Sequence, residues 1–404
     1  MKKNKNRQFS LYLTGLVVST VGDVIYELAI SYWVLETTGS KSLMSLSLSI
    51  GMFVRMLLLP VAGAIGDSLN KKWIMVAMDA IRGVLMTVMG VICMTGYLNV
   101  PIVLFSAVIS SLAETIFSPS ATTLILDILD KNDIIQGQSL QNTLLSIVNV
   151  ISNGLAGSVV LLFGIGPSMI LNGMSFVISG VSEVFIQIPD KEKQTLSWKS
   201  IFVSVMNGGK VILDDVQIRN FFSVSFMMNL FSAGLVALLM PYILELGFAV
   251  SQYSIISALI SVGGILGGIY LSFYHIPDEK RMKTMVFCFT GGLITELLSF
   301  QMKSLYATGI FILLSMIMST VANGIFGGMF MLFLPEDKSG TVYSFMASAG
   351  SLGSAVSTLT YGVLADHFPI SIIAMAGCLL TVLPVLFLKS RQNKNTSDQD
   401  DSRF

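Results

Sequence analysis

The stretch Pro60–Trp73, "PVAGAIGDSLNKKW", decides how the chain is read. An apolar run ends in two spaced glycines, Gly63 and Gly66. Asp67 and the pair Lys71 and Lys72 follow, and a second apolar run begins at Trp73. Glycine, aspartate and lysine together suit either a phosphate-binding loop or a polar turn between two membrane helices. A phosphate loop needs G-x-x-x-x-G-K-[ST], because backbone N–H groups, a lysine and a hydroxyl must surround the phosphates. Pro60–Trp73 does not fit that pattern. "SVMNGGKV" (204–211) comes nearer, but Ser204 replaces the first glycine and Val211 the hydroxyl residue. The sequence holds no G-x-S-x-G elbow and no H-E-x-x-H pair either. An ATP-driven pump and a membrane hydrolase are therefore disfavoured, and the chain is not expected to be an enzyme. Pro60–Trp73 reads as a turn between two membrane helices.

Composition supports that reading. Only 12% of the residues are charged and 53% are hydrophobic, against about 25% charged in a soluble domain. Much of the surface must face lipid. Cys93, Cys288 and Cys378 stand alone in separate apolar runs and read as reduced, buried residues. His275 and His367 are far apart, so no zinc or other metal site is expected. No cofactor and no nucleic-acid partner is expected.

Twelve apolar spans of roughly 20 residues, the length that crosses hydrocarbon, are expected. They run 9–37, 43–66, 73–95, 100–120, 138–164, 168–188, 220–246, 251–274, 284–301, 305–333, 343–365 and 370–388. The expected fold is an all-α membrane protein of twelve transmembrane helices in two six-helix halves. The halves are 1–188 and 220–388, with an interdomain linker at 189–219 and a polar tail at 389–404. Within the linker, "WKSIFVSVMNGGKVI" has the spacing of an amphipathic surface helix. The basic start reads as a retained first helix, since its apolar run is long and contains acids. Of the 24 Lys and Arg, all but Lys41, Lys303, Arg55 and Arg82 fall on the same side as the N-terminus. The positive-inside rule puts that side, with both termini, in the cytoplasm.

Charges inside a span cost several kcal/mol, so each is a functional candidate. Asp23 and Glu27 are four apart and share one face of the first helix. Two carboxylates on one face in a low-dielectric interior do not both ionise easily, which is what proton coupling requires. Depth alone allows Arg55 of the second span to pair with them, either in coupling or as a fixed bridge. Asp79, Arg82 and Glu114 read as a network with a structural or gating role on the cytoplasmic side. Glu183 reads as a snorkelling structural acid. Glu296 is the one deep acid of the second half and a candidate for proton or cation binding. Asn149, Asn153 and Gly157 are spaced by four and form one polar stripe. Asn229 and Asn323, with Phe226 and Phe326, are candidates to line a central cavity. Spaced glycines such as Gly263, Gly264, Gly267 and Gly268 let helices approach closely.

These residues carry a resemblance. Twelve spans split six and six, with "GAIGDSLNKK" after the second, resemble the major facilitator superfamily. Its pattern there is G-x-x-x-D-R-x-x-R-[KR], which Gly63, Asp67, Lys71 and Lys72 match, while Ser68 replaces the arginine. "GDVIYELAISYWVLETTGS", "MDAIRG", "FSPSATTLILD" and "YGVLADHF" resemble exporters of the macrolide-efflux and enterobactin-exporter types. Asn153-Gly154 stands where antiporters commonly carry Gly-Pro. "PEDKSGTV" resembles P-x-x-x-R-G-R-V with both arginines lost.

The resemblance implies alternating access of two halves about a midplane cavity, driven by a proton gradient. It implies a secondary-active exporter of amphipathic small molecules, macrolide-like, working by proton antiport as a monomer in the cell membrane. Asp67 would face the positive N-terminal end of the eleventh helix and, with Gly63, Lys71 and Lys72, gate the cytoplasmic side. Export of a siderophore, transport of a lysophospholipid, and a non-transporting sensor or scaffold stay open as alternatives.

Overall fold

The structure is a computed structural model. It describes residues 2–68, 70–130, 133–187, 210, 212–274, 276–332 and 339–384. Every regular element among the described residues is α-helical. In chain order these are α1 (Lys2–Thr38), α2 (Lys41–Ser68), α3 (Lys71–Met94), α4 (Val100–Ile128), α5 (Ile134–Phe163) and α6 (Ile165–Val184). They continue with α7 (Val216–Glu245), α8 (Val250–Phe273), α9 (Asp278–Ser299), α10 (Leu305–Leu332), α11 (Ser339–Ala365) and the shorter α12 (Ile370–Pro384).

A helix lies on each apolar run of the sequence, but the ends differ: α6 stops at Val184, short of the expected 188, and several helices outrun their spans. α4 continues to Ile128 and α9 starts at Asp278. In lipid a backbone must satisfy its own hydrogen bonds, and nothing stops the same helix where the polar layer begins. Among the described residues nine helices, α1–α8 and α10, are long and apolar enough to cross a membrane. By that measure α9 falls short because its first turns hold Asp278, Glu279, Lys280, Arg281 and Lys283.

Local chemistry fixes the helix ends. Asn99 Oδ1 accepts from the Ile102 N–H at 3.0 Å and opens α4 just ahead of Pro101. Asp215 Oδ1 accepts from Gln217 and Ile218 and opens α7. α3 and α7 stop in the same way. Gly96 (φ 78°) and Gly247 (φ 86°) take the left-handed conformation. Their N–H groups and those of Tyr97 and Phe248 return to carbonyls of the last turn.

The chain forms two compact units. The first is residues 1–203 with 249–258, and the second is 204–248 with 259–404. The opening turns of α8 thus belong with the first unit. Within it, α6 lies between α1 and α3. Small residues allow the approach: a Cβ at Gly15 would stand 2.6 Å from Ser182 Oγ, and one at Gly90 would stand 2.7 Å from the Gly166 carbonyl. The second unit packs α11 on α7 and α9 on α10. Its core joins Ile218, Phe221, Val224, Met285, Phe289, Phe326 and Phe330. α8 lies against α10 through Gly263 and Gly267, whereas Gly268 meets nothing within 4 Å.

The linker helix read in 189–219 and the tail at 389–404 fall on residues outside the described ones, apart from Lys210 and 212–219. Gly63 and Asp67 lie on α2, and their side chains are outside the described residues, as is the gating contact expected of Asp67.

Candidate functional site

Asp23 sits on α1 beside Gly22, whose missing side chain lets Asn172 and Ser175 of α6 come close. That approach brings three helices to one carboxylate. Asp23 Oδ1 accepts from Asn172 Nδ2 at 3.3 Å, and Oδ2 accepts from Arg82 Nη2 of α3 at 2.8 Å. Arg82 Nη1 reaches Glu114 Oε2 of α4 at 2.6 Å. The guanidinium is 5% exposed and lies 4.0 Å above the centre of the buried Phe176 ring of α6. Cation, two carboxylates and ring therefore tie α1, α3, α4 and α6 at one point. Charge-assisted bonds of this kind are the strong ones, and removing one partner leaves an uncompensated buried charge.

A cavity of about 290 Å³ opens on this cluster. Asp23, Tyr26, Glu27, Ser47, Arg82, Ser110, Ser111 and Glu114 line it, so α1 to α4 all contribute. Glu27 is exposed to it and has no hydrogen-bond or ion-pair partner among the described residues. Three carboxylates thus line a cavity with one guanidinium, which pairs with two of them.

The sequence marked these acids, but the structure pairs them differently. The cation beside Asp23 is Arg82, not Arg55, which stands exposed on α2. Position along a span fixes depth but not the direction a residue faces, and α3 rather than α2 presents its arginine here. Asp79 does not join the Arg82 pairings: both its oxygens lack a hydrogen-bond partner. Glu183 does not snorkel. It is 2% exposed, because α6 turns that face toward its neighbours. Lys71 bonds Asp127 Oδ2 at 2.9 Å and the Thr123 carbonyl at 3.2 Å, tying the start of α3 to the end of α4. Lys72 lies 5.2 Å from the centre of the Trp73 ring.

The asparagine stripe of α5 faces the first turns of α8. Asn153 Nδ2 donates to the Asn149 carbonyl at 2.8 Å. Ser257 Oγ donates to Asn153 Oδ1 at 2.7 Å, and the Gly157 N–H donates to Ser254 Oγ at 2.7 Å. Asn229 of α7 accepts from Ser354 of α11 at 3.1 Å. Phe226 is half-buried and stacks on Phe222, and Asn323 is exposed. Phe326 is 8% exposed within the second unit's core, against Phe221, so it is a packing residue and not a cavity wall. Glu296 is buried on α9, with Tyr361 and Cys378 as neighbours.

Sequence reasoning missed Asn172, Ser175, Ser179 and Ser182 on α6. Their spacing of three and four residues was the available signal, since a polar stripe in a membrane helix faces protein or water. Among the described residues no group of three or more His, Cys, Asp or Glu is placed to hold a metal ion.

Residues 12–358 match the Major Facilitator Superfamily. The chain belongs to that superfamily. This major facilitator is 24% identical over 310 residues to YkuC of Bacillus subtilis (strain 168), an uncharacterized MFS-type transporter, covering 73% of the chain and 71% of the relative. It is 21% identical over 215 residues to macrolide efflux protein A of Streptococcus pyogenes, and spans 53% of that relative's length. The solved nucleoside transporter NupG superposes with a TM-score of 0.73 at 12% identity, over 96% of this chain and 98% of that one. A bacterial homologue of the iron transporter ferroportin, in an inward-facing state, superposes with a TM-score of 0.72 at 17% identity, over 94% and 98%. At such identities the solved structures bear on the fold alone. The chain is an all-helical, multi-pass membrane transporter and not an enzyme.

Proposed function

We propose that this major facilitator is a secondary-active efflux transporter that exports amphipathic, macrolide-like small molecules by proton antiport and alternating access. The observation that supports it is one guanidinium, Arg82, shared by Asp23 and Glu114, with Glu27 unpartnered in the same cavity. Deep charges in a membrane bundle are costly unless they are paired or serve transport. Three acids around one cation leave a place for positive charge, and a proton on Asp23 or Glu27 fills it. Protonating Asp23 weakens its hold on Arg82, which then rests on Glu114 alone. α1 is thereby released from α3, and loss of the proton restores the bond. The proton and the opening of the cavity are coupled through one side chain.

Pockets for drug-sized ligands span about 300–1,000 Å³, and this one, at about 290 Å³, lies at the lower edge of that range. In this reading the charged cavity serves the proton, and the bulky substrate seats elsewhere. Half-buried Phe226 and exposed Met227 of α7 are the residues we assign to its apolar contact. Export, and the amphipathic nature of the cargo, are supported by the similarity to macrolide efflux protein A. The charge distribution supports a cell-membrane protein with both termini cytoplasmic. In this reading 1–188 and 220–388 are the moving halves, 189–219 links them, and the carrier acts as a monomer.

Inverted membrane vesicles test the proposal with a radiolabelled macrolide and an imposed proton gradient. The expected outcome is gradient-driven uptake by the wild type that is lost in Asp23→Asn and in Glu27→Gln. Unchanged uptake in both variants would refute coupling through these acids.

A further inference from the structure

A second pair of acids lies outside the Arg82 bonds. Asp79 on α3 is 0% exposed and Glu183 on α6 is 2% exposed. A Cβ at Gly180 would stand 3.6 Å from the Asp79 Cβ. Asp79 therefore faces α6 one turn before Glu183, and its carboxylate is the charge Glu183 meets there. Ser179, also 0% exposed, lies beside the Asp79 carboxyl. Asp79 Oδ1 and Oδ2, Glu183 Oε2 and Ser179 Oγ are all buried without a hydrogen-bond partner. Unpartnered polar atoms are rare in a buried site and need an explanation.

The nearest cation does not supply one. Arg82, one turn along α3, spends its two terminal nitrogens on Asp23 and Glu114. The other ionisable groups around the pair are Asp23 and Tyr12 from α1 and Glu114 from α4. Tyr12 Oη donates to Gln141 Oε1 of α5 at 3.5 Å. Among the described residues the ionisable groups near the pair, Arg82 apart, are thus acids and a phenol. Two carboxylates that face each other away from water cannot both keep their charge.

We propose that Asp79 and Glu183 hold one proton between them and form an inner proton-binding site, the station between the Arg82 cluster and the cytoplasm. The role as a station rests on the proton-coupled reading given above. A proton on one carboxylate lets it donate to an oxygen of the other, and it removes one negative charge. Only a proton moves, and nothing is oxidised or reduced. A metal ion fits less well: Ca²⁺ takes about 6–8 oxygens, and only three residues converge here. Asp79 precedes Arg82 by three residues, about 4.5 Å along the axis at 1.5 Å per residue. Glu183 is in the last turn of α6. The pair therefore lies between the cavity cluster and the helix ends near Lys71, with the Ser179 hydroxyl placed to pass the proton on.

Infrared difference spectroscopy on the full-length protein in lipid nanodiscs, titrated with acid and base, tests this site without transport. The expected result is a protonated-carboxyl C=O component that is lost in Glu183→Gln and in Asp79→Asn and kept in Tyr361→Phe, which changes no carboxyl group. Should Asp79→Asn not fold, Glu183→Gln carries the test alone, since a glutamine is nearly isosteric. A full component in Glu183→Gln overturns the proposal. So does its disappearance on adding Na⁺ at constant pH, which would make the occupant a metal cation. The two readings fail separately. A wild type with the component but no proton-driven uptake refutes coupling, while uptake without the component refutes the paired proton site.

Discussion

The two units handle polarity inside a membrane in opposite ways. In the first, Asp23, Glu114 and Arg82 bond across three helices, and Asp79, Glu183 and Glu27 stand near them with no ion-pair partner among the described residues. In the second, Glu296 is buried beside Tyr361 and Cys378, with no ion-pair partner among the described residues. Helices there meet through neutral contacts: Tyr361 Oη donates to the Phe231 carbonyl at 2.6 Å, the Gly234 N–H donates to Ser357 Oγ, and Ser354 bonds Asn229. Phe221, Phe326 and Phe330 fill the space between. Hydroxyl contacts hold helices together without sensing pH, whereas shared charges change strength when a proton binds. The difference is the ground on which we propose coupling in the first unit and adaptable packing in the second.

The contrast can be broken by mutation. Arg82→Ala is the most damaging change expected, at about 2–3 kcal/mol, because it removes two charge-assisted bonds and the Phe176 contact, while the carboxylates it leaves unpaired are partly exposed. Thermal unfolding in detergent reads it. In the second unit the largest loss expected is steric. A Cβ at Gly267 would stand 2.7 Å from Thr320 Cβ and 2.8 Å from the Ile317 carbonyl. Gly267→Ala should cost about 1–3 kcal/mol through overpacking. A Cβ at Gly264 meets only Thr320 Oγ1, at 3.9 Å, so Gly264→Ala should stay within about 0.5 kcal/mol. Tyr361→Phe removes one hydrogen bond and should cost about 1 kcal/mol, with proton-driven uptake retained. The smallest change in stability belongs to Glu27→Gln, within about 0.5 kcal/mol, because Glu27 has no partner to lose. Its proton-driven uptake should nevertheless be abolished. If Glu27→Gln melted early while Tyr361→Phe lost coupling, the division of labour between the units would be reversed.

The fold was legible because lipid is a demanding solvent. A span needs about 20 apolar residues, and that pattern needs no partner to be read. Helix ends were less legible, since the polar turns of α9 carry no apolar mark. The acids stood out singly, but their pairing did not. Arg55 and Arg82 are both arginines within spans, and only packing shows that Arg82 turns toward Asp23. Asp79 and Arg82 are three apart on one helix face, yet Arg82 reaches past Asp79 to other helices. Asn172 was hidden among small residues in "NGMSFVISG", although its stripe with Ser175, Ser179 and Ser182 was there to be counted. The role of Asp67, on the stretch first quoted, falls on side chains outside the described residues.

The central claim is that a proton is exchanged for substrate through the cavity of the first unit. Purified protein in liposomes with a pH-sensitive dye inside tests it most directly, with a macrolide added at zero membrane potential. The account predicts substrate-dependent proton movement in the wild type that vanishes in Asp23→Asn. Macrolide movement without proton movement, or an Asp23→Asn variant that still exchanges the two, would contradict it.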